Sequence, residues 1–237
     1  LGEFLAAHGA DWLCGCAVMG RVCRTVEQVV EALADYSEYG YGEFVIKAAV
    51  ASSGRGQIHV RGGNLRAGQR GWLENMLKEQ GEVVVEPWLD KVIDLSLHFD
   101  VDVQGEVKVA GWTRFFTDAR GQYRGAFVGQ IVAGLGAEVK KFLYGGGRDA
   151  KRLRRLGDEL AAFLAGKLFA AGYAGPVGVD ALVYRDGGVL RFKPVVEINP
   201  RQTMGRVALA LKQRVNAART ALWLVVSRRE AQAAGWA

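Results

Sequence analysis

The chain has 237 residues, half of them hydrophobic and about a quarter charged, enough for one large domain or two modest subdomains with a substantial core. No apolar run approaches bilayer-spanning length and no secretory pattern opens the chain, so membrane insertion and secretion are not expected and a cytoplasmic location is. The net charge of +6 admits an anionic ligand, but no aromatic-and-basic pattern accompanies Lys151, Arg152, Arg154, Arg155, Arg228 and Arg229, which argues against nucleic acid. Cys14, Cys16 and Cys23 form no disulfide framework, and we read them as buried free thiols of a reducing compartment.

Thr25 with Gln28 three residues on predicts a capped helix over about residues 25–36, closed by Tyr39-Gly40-Tyr41-Gly42. Phe44-Val45-Ile46 reads as a short buried strand, 51–56 as a small-residue loop, and Gln57 to Val60 as a second strand. Asn64 is placed as the cap of a helix carrying Trp72, Leu73, Met76 and Leu77 and ending at Gly81. Val83 to Glu86 is a strand broken by Pro87-Trp88-Leu89, and alternation resumes from Leu95 to Val103 and from Lys108 to Phe116, with a turn near 118–122. A long amphipathic helix is expected from Asp149 to about Ala171, with Leu153, Leu156, Leu160, Phe163, Leu164 and Leu168 as its buried stripe. Val177 to Tyr184 and Val189 to Asn199 form a hairpin around Gly187-Gly188, and a helix starts near Thr203; residues 220–226 fit helix or strand. Short strands joined mostly by turns argue for α+β.

Three constellations carry chemistry. Strand alternation sets Glu197 and Asn199 on one face and sends Val196 and Ile198 to the core. Pairing Asp180 with Glu197 centres the hairpin turn at about 188.5, beside Gly187-Gly188. Two carboxylates and an amide oxygen on a rigid sheet suit Mg²⁺; exposed acids balanced by Arg191 and Lys193 are the plainer alternative. Pro194 requires an edge strand or a bulge, and a bulge would shift the pairing by one residue. Lys47, ending an apolar strand before Ser52-Ser53-Gly54-Arg55-Gly56, suits phosphate. Glu86-Pro87-Trp88-Leu89, with Asp90 and Asp94 beyond, can offer backbone to adenine and a carboxylate to ribose, or can be a strand-end turn with Trp88 in the core. None of His8, His59 or His98 sits in a suggestive setting.

In order, Val45-Ile46-Lys47 with Ser53 to Gly56, Val85 to Leu89, and Gly178-Val179-Asp180 with Glu197-Ile198-Asn199-Pro200-Arg201 resemble the ATP-grasp superfamily of D-alanine–D-alanine ligase-like carboxylate–amine ligases. The resemblance covers about residues 20–210 and implies an α+β ATP-grasp fold, two subdomains (1–85 and 86–237) with antiparallel sheets clamping ATP. It implies Lys47 on the α/β-phosphates, a lid over them containing Ser53, Gly54 and Gly56, an adenine hinge at Glu86, Trp88 and Leu89, and Asp94 on the ribose. Asp180, Glu197 and Asn199 would then hold Mg²⁺, with Arg201 beside the γ-phosphate or acyl-phosphate. Lys47 is the first lysine of the chain, so Arg21 or Arg24 is the candidate substitute for the family's earlier lysine, each equally suited to capping the helix entrance, and Arg114, Arg120 and Arg124 are the candidates for a later basic residue near the phosphates. The implied activity joins a small-molecule or peptide carboxylate to an amine through an acyl-phosphate. A phosphotransferase and a non-catalytic nucleotide-binding module are the alternatives. The implied partners are an upstream domain and, as a further possibility, a second copy of the chain.

Overall fold

A computed structural model describes residues 1–50, 56–118, 121–147, 151–216 and 219–236. The chain divides into two compact units, Leu1–Asp90 with Arg120–Gln122, and Lys91–Ala119 with Tyr123–Ala237.

The first unit opens with α1 (Gly2–His8), β1 (Arg21–Cys23), α2 (Val26–Glu38), β2 (Glu43–Ala48), β3 (Gln57–Arg61), α3 (Ala67–Gln80) and β4 (Val83–Pro87). The four strands form an antiparallel sheet in the order β1-β4-β2-β3. Thr25 Oγ1 accepts the Gln28 amide at 3.2 Å, and Gln28 Oε1 accepts the Arg24 amide at 2.7 Å, which fixes the entrance of α2. Its apolar stripe Val29, Leu33 and Tyr36 closes on Phe44, Ile46 and Val85 of the sheet and on Leu73 of α3. The entrance of α3 differs from expectation: Arg66, not Asn64, is the cap, because Gln69 Oε1 reaches back to the Arg66 amide at 2.9 Å. Cys14 and Cys23 are buried, but Cys16 is exposed, in a short 3₁₀ turn rather than in the core.

The second unit holds β5 (Asp90–Val101), β6 (Val107–Thr117), β7 (Tyr123–Val128), α4 (Ala137–Leu143), α5 (Arg152–Ala170), β8 (Gly175–Asp186), β9 (Val189–Asn199), α6 (Met204–Lys212), β10 (Ala221–Leu224) and α7 (Arg228–Ala233). Its sheet runs β10-β7-β6-β5-β8-β9. Residues 221–224 thus resolve as strand, pairing antiparallel with β7. Alternation along β5 and β6 puts helices on both faces. Leu97 and Trp112 meet Gly157 of α5, while His98 and Thr113 meet Gly205 of α6. The buried stripe of α5 runs through Gly157, Ala161 and Ala165 as well as the leucines, and Phe163 and Leu168 lie only at its margin. Asp149, placed at the start of that helix, lies outside the described residues. No described helix is long and apolar enough to cross a membrane.

Candidate active site

The β8–β9 hairpin turns on Gly187 and Gly188, whose φ values of 55° and 85° are those of a two-residue turn matched to strand twist. The ladder runs from Asp186↔Val189 to Leu182↔Lys193, breaks, and resumes as Asp180↔Glu197, Val179↔Ile198 and Gly178↔Asn199. One β8 residue, Ala181, faces three of β9, Pro194, Val195 and Val196. The turn therefore centres between Gly187 and Gly188, not at 188.5, and the register shifts by two residues rather than one. An even shift keeps each side chain on its face, so Asp180 and Glu197 remain cross-strand neighbours. Pro194 satisfies both of its conditions, since β9 is an edge strand and is irregular there. Ile198, expected in the core, is 39% exposed because the end of an edge strand has a neighbour on one side only. Of the two basic residues set against these acids, Lys193 is fully buried and lies beyond the irregularity.

Asp180 does not stand with Glu197 alone. Burial lifts its carboxyl to about 7, and the charges of Glu197 and Asp94 push the same way; Ser96 and Arg201 oppose them. Ser96 lies beside Asp180 without completing a well-aligned hydrogen bond to any described residue. Asp94, on the same face of β5, receives Lys91 Nζ at 2.6 Å and Thr117 Oγ1 at 3.4 Å, yet burial still raises its pKa. Asn199 is 7% exposed, and its Oδ1 accepts from Arg201 Nη2 at 2.8 Å.

A carboxyl whose ionisation is opposed by burial and by facing acids, as that of Asp180 is, is relieved by a proton or by a cation. The donor set, all hard oxygen, fits Mg²⁺, and Asn199 Oδ1 keeps a second lone pair beside the Arg201 bond. Among the described residues no group of three or more His, Cys, Asp or Glu side chains is placed to hold a metal ion.

In the first unit, Lys47 lies between Gln57 of β3 and Val84 of β4. Its Nζ meets Glu86 Oε2 at 3.1 Å. The sequence reading gave these two side chains separate duties, phosphate and adenine; here they form one ion pair, with Glu86 8% exposed. The Trp88 amide donates to the Glu43 carbonyl at 2.8 Å and its ring lies edge-on to His59 at 4.1 Å. Trp88 is at the surface rather than in the core, and Leu89 is half-buried. Gly56 takes φ 80° and its carbonyl accepts the Ala48 amide, while Ser53 and Gly54 lie outside the described residues.

The candidate basic residues have partners of their own. Arg21 pairs with Asp35, Arg24 with Glu82 at 2.8 Å, and Arg124 with Glu230. Arg114 shares the α5 face of the sheet with Trp112, opposite the carboxylates, and donates to the Ala133 carbonyl over the Phe127 ring. Arg120 lies outside the described residues.

Further along the carboxylate face, under α6, His98 is fully buried between Thr113 Oγ1 at 2.9 Å and Thr203 Oγ1 at 3.3 Å. Burial, then Arg206, lowers its pKa from 6.5 to about 4. The unfolded chain therefore takes up a proton near pH 6.5 that the folded chain refuses until about pH 4. This contribution to stability is complete above the higher value and is lost as the pH falls, up to about 3 kcal/mol. Urea midpoints measured between pH 7 and 4 should show His98→Asn gaining stability relative to the wild type as the pH falls.

No family model matches the sequence, and no curated protein does. Solved structures do. Biotin carboxylase from Campylobacter jejuni, in a complex described as β-γ-ATP, matches with TM-score 0.58 and 18% identity over 88% of this chain and 41% of its own. The biotin carboxylase domain of Hydrogenobacter thermophilus 2-oxoglutarate carboxylase, with MgADP, ADP and bicarbonate, gives 0.55 and 17% over 91% and 42%. N5-carboxyaminoimidazole synthetase from Staphylococcus aureus, with ADP, gives 0.51 and 16% over 85% and 43%. The chain has the ATP-grasp fold. It spans less than half the length of each of these three proteins.

Two residues on the carboxylate face of this ATP-grasp chain, Ser96 and Thr117, went unread in the sequence. The alternation of β5 would have placed Ser96 beside Asp94, but nothing local indicates that β5 lies next to β8.

Proposed function

We propose that the chain is the nucleotide-binding and catalytic part of an ATP-dependent ligase that activates a carboxylate as an acyl-phosphate and passes it to an amine. The observation that carries this reading is the pairing of Asp180 with Glu197, with Asp94 close enough to act on Asp180, on one face of an ATP-grasp sheet. In the reaction a carboxylate oxygen of the substrate attacks the γ-phosphorus, ADP leaves, and the amine then displaces phosphate. Asp180, Glu197 and Asn199 would hold Mg²⁺, which neutralises charge on the phosphoryl group in transfer. Arg201, fixed against Asn199, presents a guanidinium to the oxyanion that develops on the acyl carbon. Lys47 supplies a point charge for the α/β-phosphates, and Glu86 holds that ammonium in place.

The test is phosphate release with MgATP across pairs of carboxylate and amine, starting from bicarbonate because one structural neighbour was solved with it. Release that needs both partners supports the ligase. Release that needs the carboxylate alone and leaves a stable phosphorylated product would indicate a phosphotransferase. Failure of MgADP to bind at all would remove the nucleotide reading. Lys47→Ala should weaken MgADP binding by about 10- to 100-fold in calorimetry, the loss of one charge-assisted contact; unchanged affinity would contradict the phosphate role.

A further inference from the structure

Tyr123 stands at the start of β7, next to the carboxylate face, with a hydroxyl that the fold leaves unused. The register slips between Phe116 and Thr117, so that Tyr123 faces Thr117. Thr117 Oγ1 is the group that meets Asp94 and Lys91, and the slip therefore sets Tyr123 on the same face. Its ring packs against Phe115 at 5.9 Å and joins the apolar cluster of Ala126, Val128, Ala208 and Trp223. Its hydroxyl is closed off from solvent and finds no hydrogen-bond partner among the described residues.

A buried tyrosine ordinarily satisfies its hydroxyl, and one left unmade costs about 1–3 kcal/mol. A purely structural ring at this place would serve as well as phenylalanine. Burial, and after it the charge of Asp180, lifts the pKa of this hydroxyl to about 12, so it remains a hydrogen-bond donor at every working pH. The chain thus presents a donor without an acceptor next to the place where the substrate carboxylate would be activated. We propose that Tyr123 is a substrate-binding residue whose hydroxyl donates to an oxygen of the carboxylate substrate, or of its acyl-phosphate, beside Asp94 and Asp180. This rests on the ligase reading above, and it adds a contact made from β7 to those made from β8 and β9.

The test compares the full chain with Tyr123→Phe by thermal unfolding in Mg²⁺, with bicarbonate or acetate in one arm and inorganic phosphate in another. Without additive the variant should melt at the wild-type temperature or above it, because the lost hydroxyl had no partner. Bicarbonate or acetate should raise the wild-type melting temperature, and the concentration giving half of that rise should be about 10-fold higher in the variant. The phosphate arm should be the same in both proteins, which assigns the phenol to the carboxylate and not to the nucleotide. A lower melting temperature of the variant without additive, no carboxylate response in the wild type, or equal half-points would each overturn the proposal. A separate MgADP titration keeps the two readings apart: no response there counts against the ligase, whereas an intact response with equal carboxylate half-points counts against Tyr123 alone.

Discussion

Asp180→Asn is expected to abolish Mg²⁺-dependent phosphate release while making the metal-free protein more stable at neutral and alkaline pH. The first effect follows from removing one of two facing carboxylates that would hold the ion; Glu197→Gln, on the other side of the pair, should reproduce it, with a loss of at least about 10³-fold. The second effect follows from the displacement of the Asp180 carboxyl from 3.8 to about 7. Between those values the folded chain holds a proton that the unfolded chain has released. Stability is therefore greatest at low pH and falls as the pH rises through the window, by on the order of 2–4 kcal/mol. Asparagine removes that loss. In the wild type this slope opposes that of His98, which is lost in the opposite direction between pH 6.5 and about 4. The metal-free wild type should consequently show a nearly flat profile there, and Asp180→Asn should unmask a falling acid limb. Mg²⁺ should stabilise the wild type at pH 8 and leave Asp180→Asn unmoved; a variant that still gains from Mg²⁺ would end the metal assignment.

Gly205→Ala should destabilise the chain by about 3 kcal/mol, although the same change in an exposed helix would gain about 1 kcal/mol from propensity. A methyl group at Gly205 would stand 2.1 Å from His98 Nε2, 2.3 Å from its Cε1 and 2.9 Å from Thr113 Oγ1. The imidazole has no space to yield, being fully buried and held by Thr113 and Thr203. Nor can α6 lift away cheaply, because Arg206 in the next position binds both oxygens of Asp100 and the Phe99 carbonyl at 2.7–3.0 Å. Urea unfolding at pH 7.5 reads the effect, and His98→Ala added to Gly205→Ala should recover part of it by making room. An unchanged midpoint in the single variant would show that the helix approaches the sheet less closely than described.

Much of this was legible in the sequence because it depends on neighbours along the chain. The Thr25–Gln28 cap, the Gly187-Gly188 turn and the facing of Asp180 with Glu197 are all local, and each is present. The facing was reached with a turn centre one residue too far along, since sequence alone does not reveal two additional residues around Pro194. What the sequence hid is set by strand order. That Asp94 and Ser96 approach Asp180 depends on β5 lying beside β8, far away along the chain. The pairing of Lys47 with Glu86 depends on β2 lying beside β4, 39 residues apart. Asp94, which the resemblance assigns to the ribose, also lies within electrostatic reach of Asp180.

The irregular stretch around Pro194 also bears on how the molecule behaves among its own kind. A straight outermost strand offers an unbroken row of amides and carbonyls on which another chain can extend the sheet. Here that row lacks an amide at Pro194 and loses its spacing over the next two residues, so a foreign strand could match one half of it but not both. Crowded copies of this protein should therefore resist zipping together along that border.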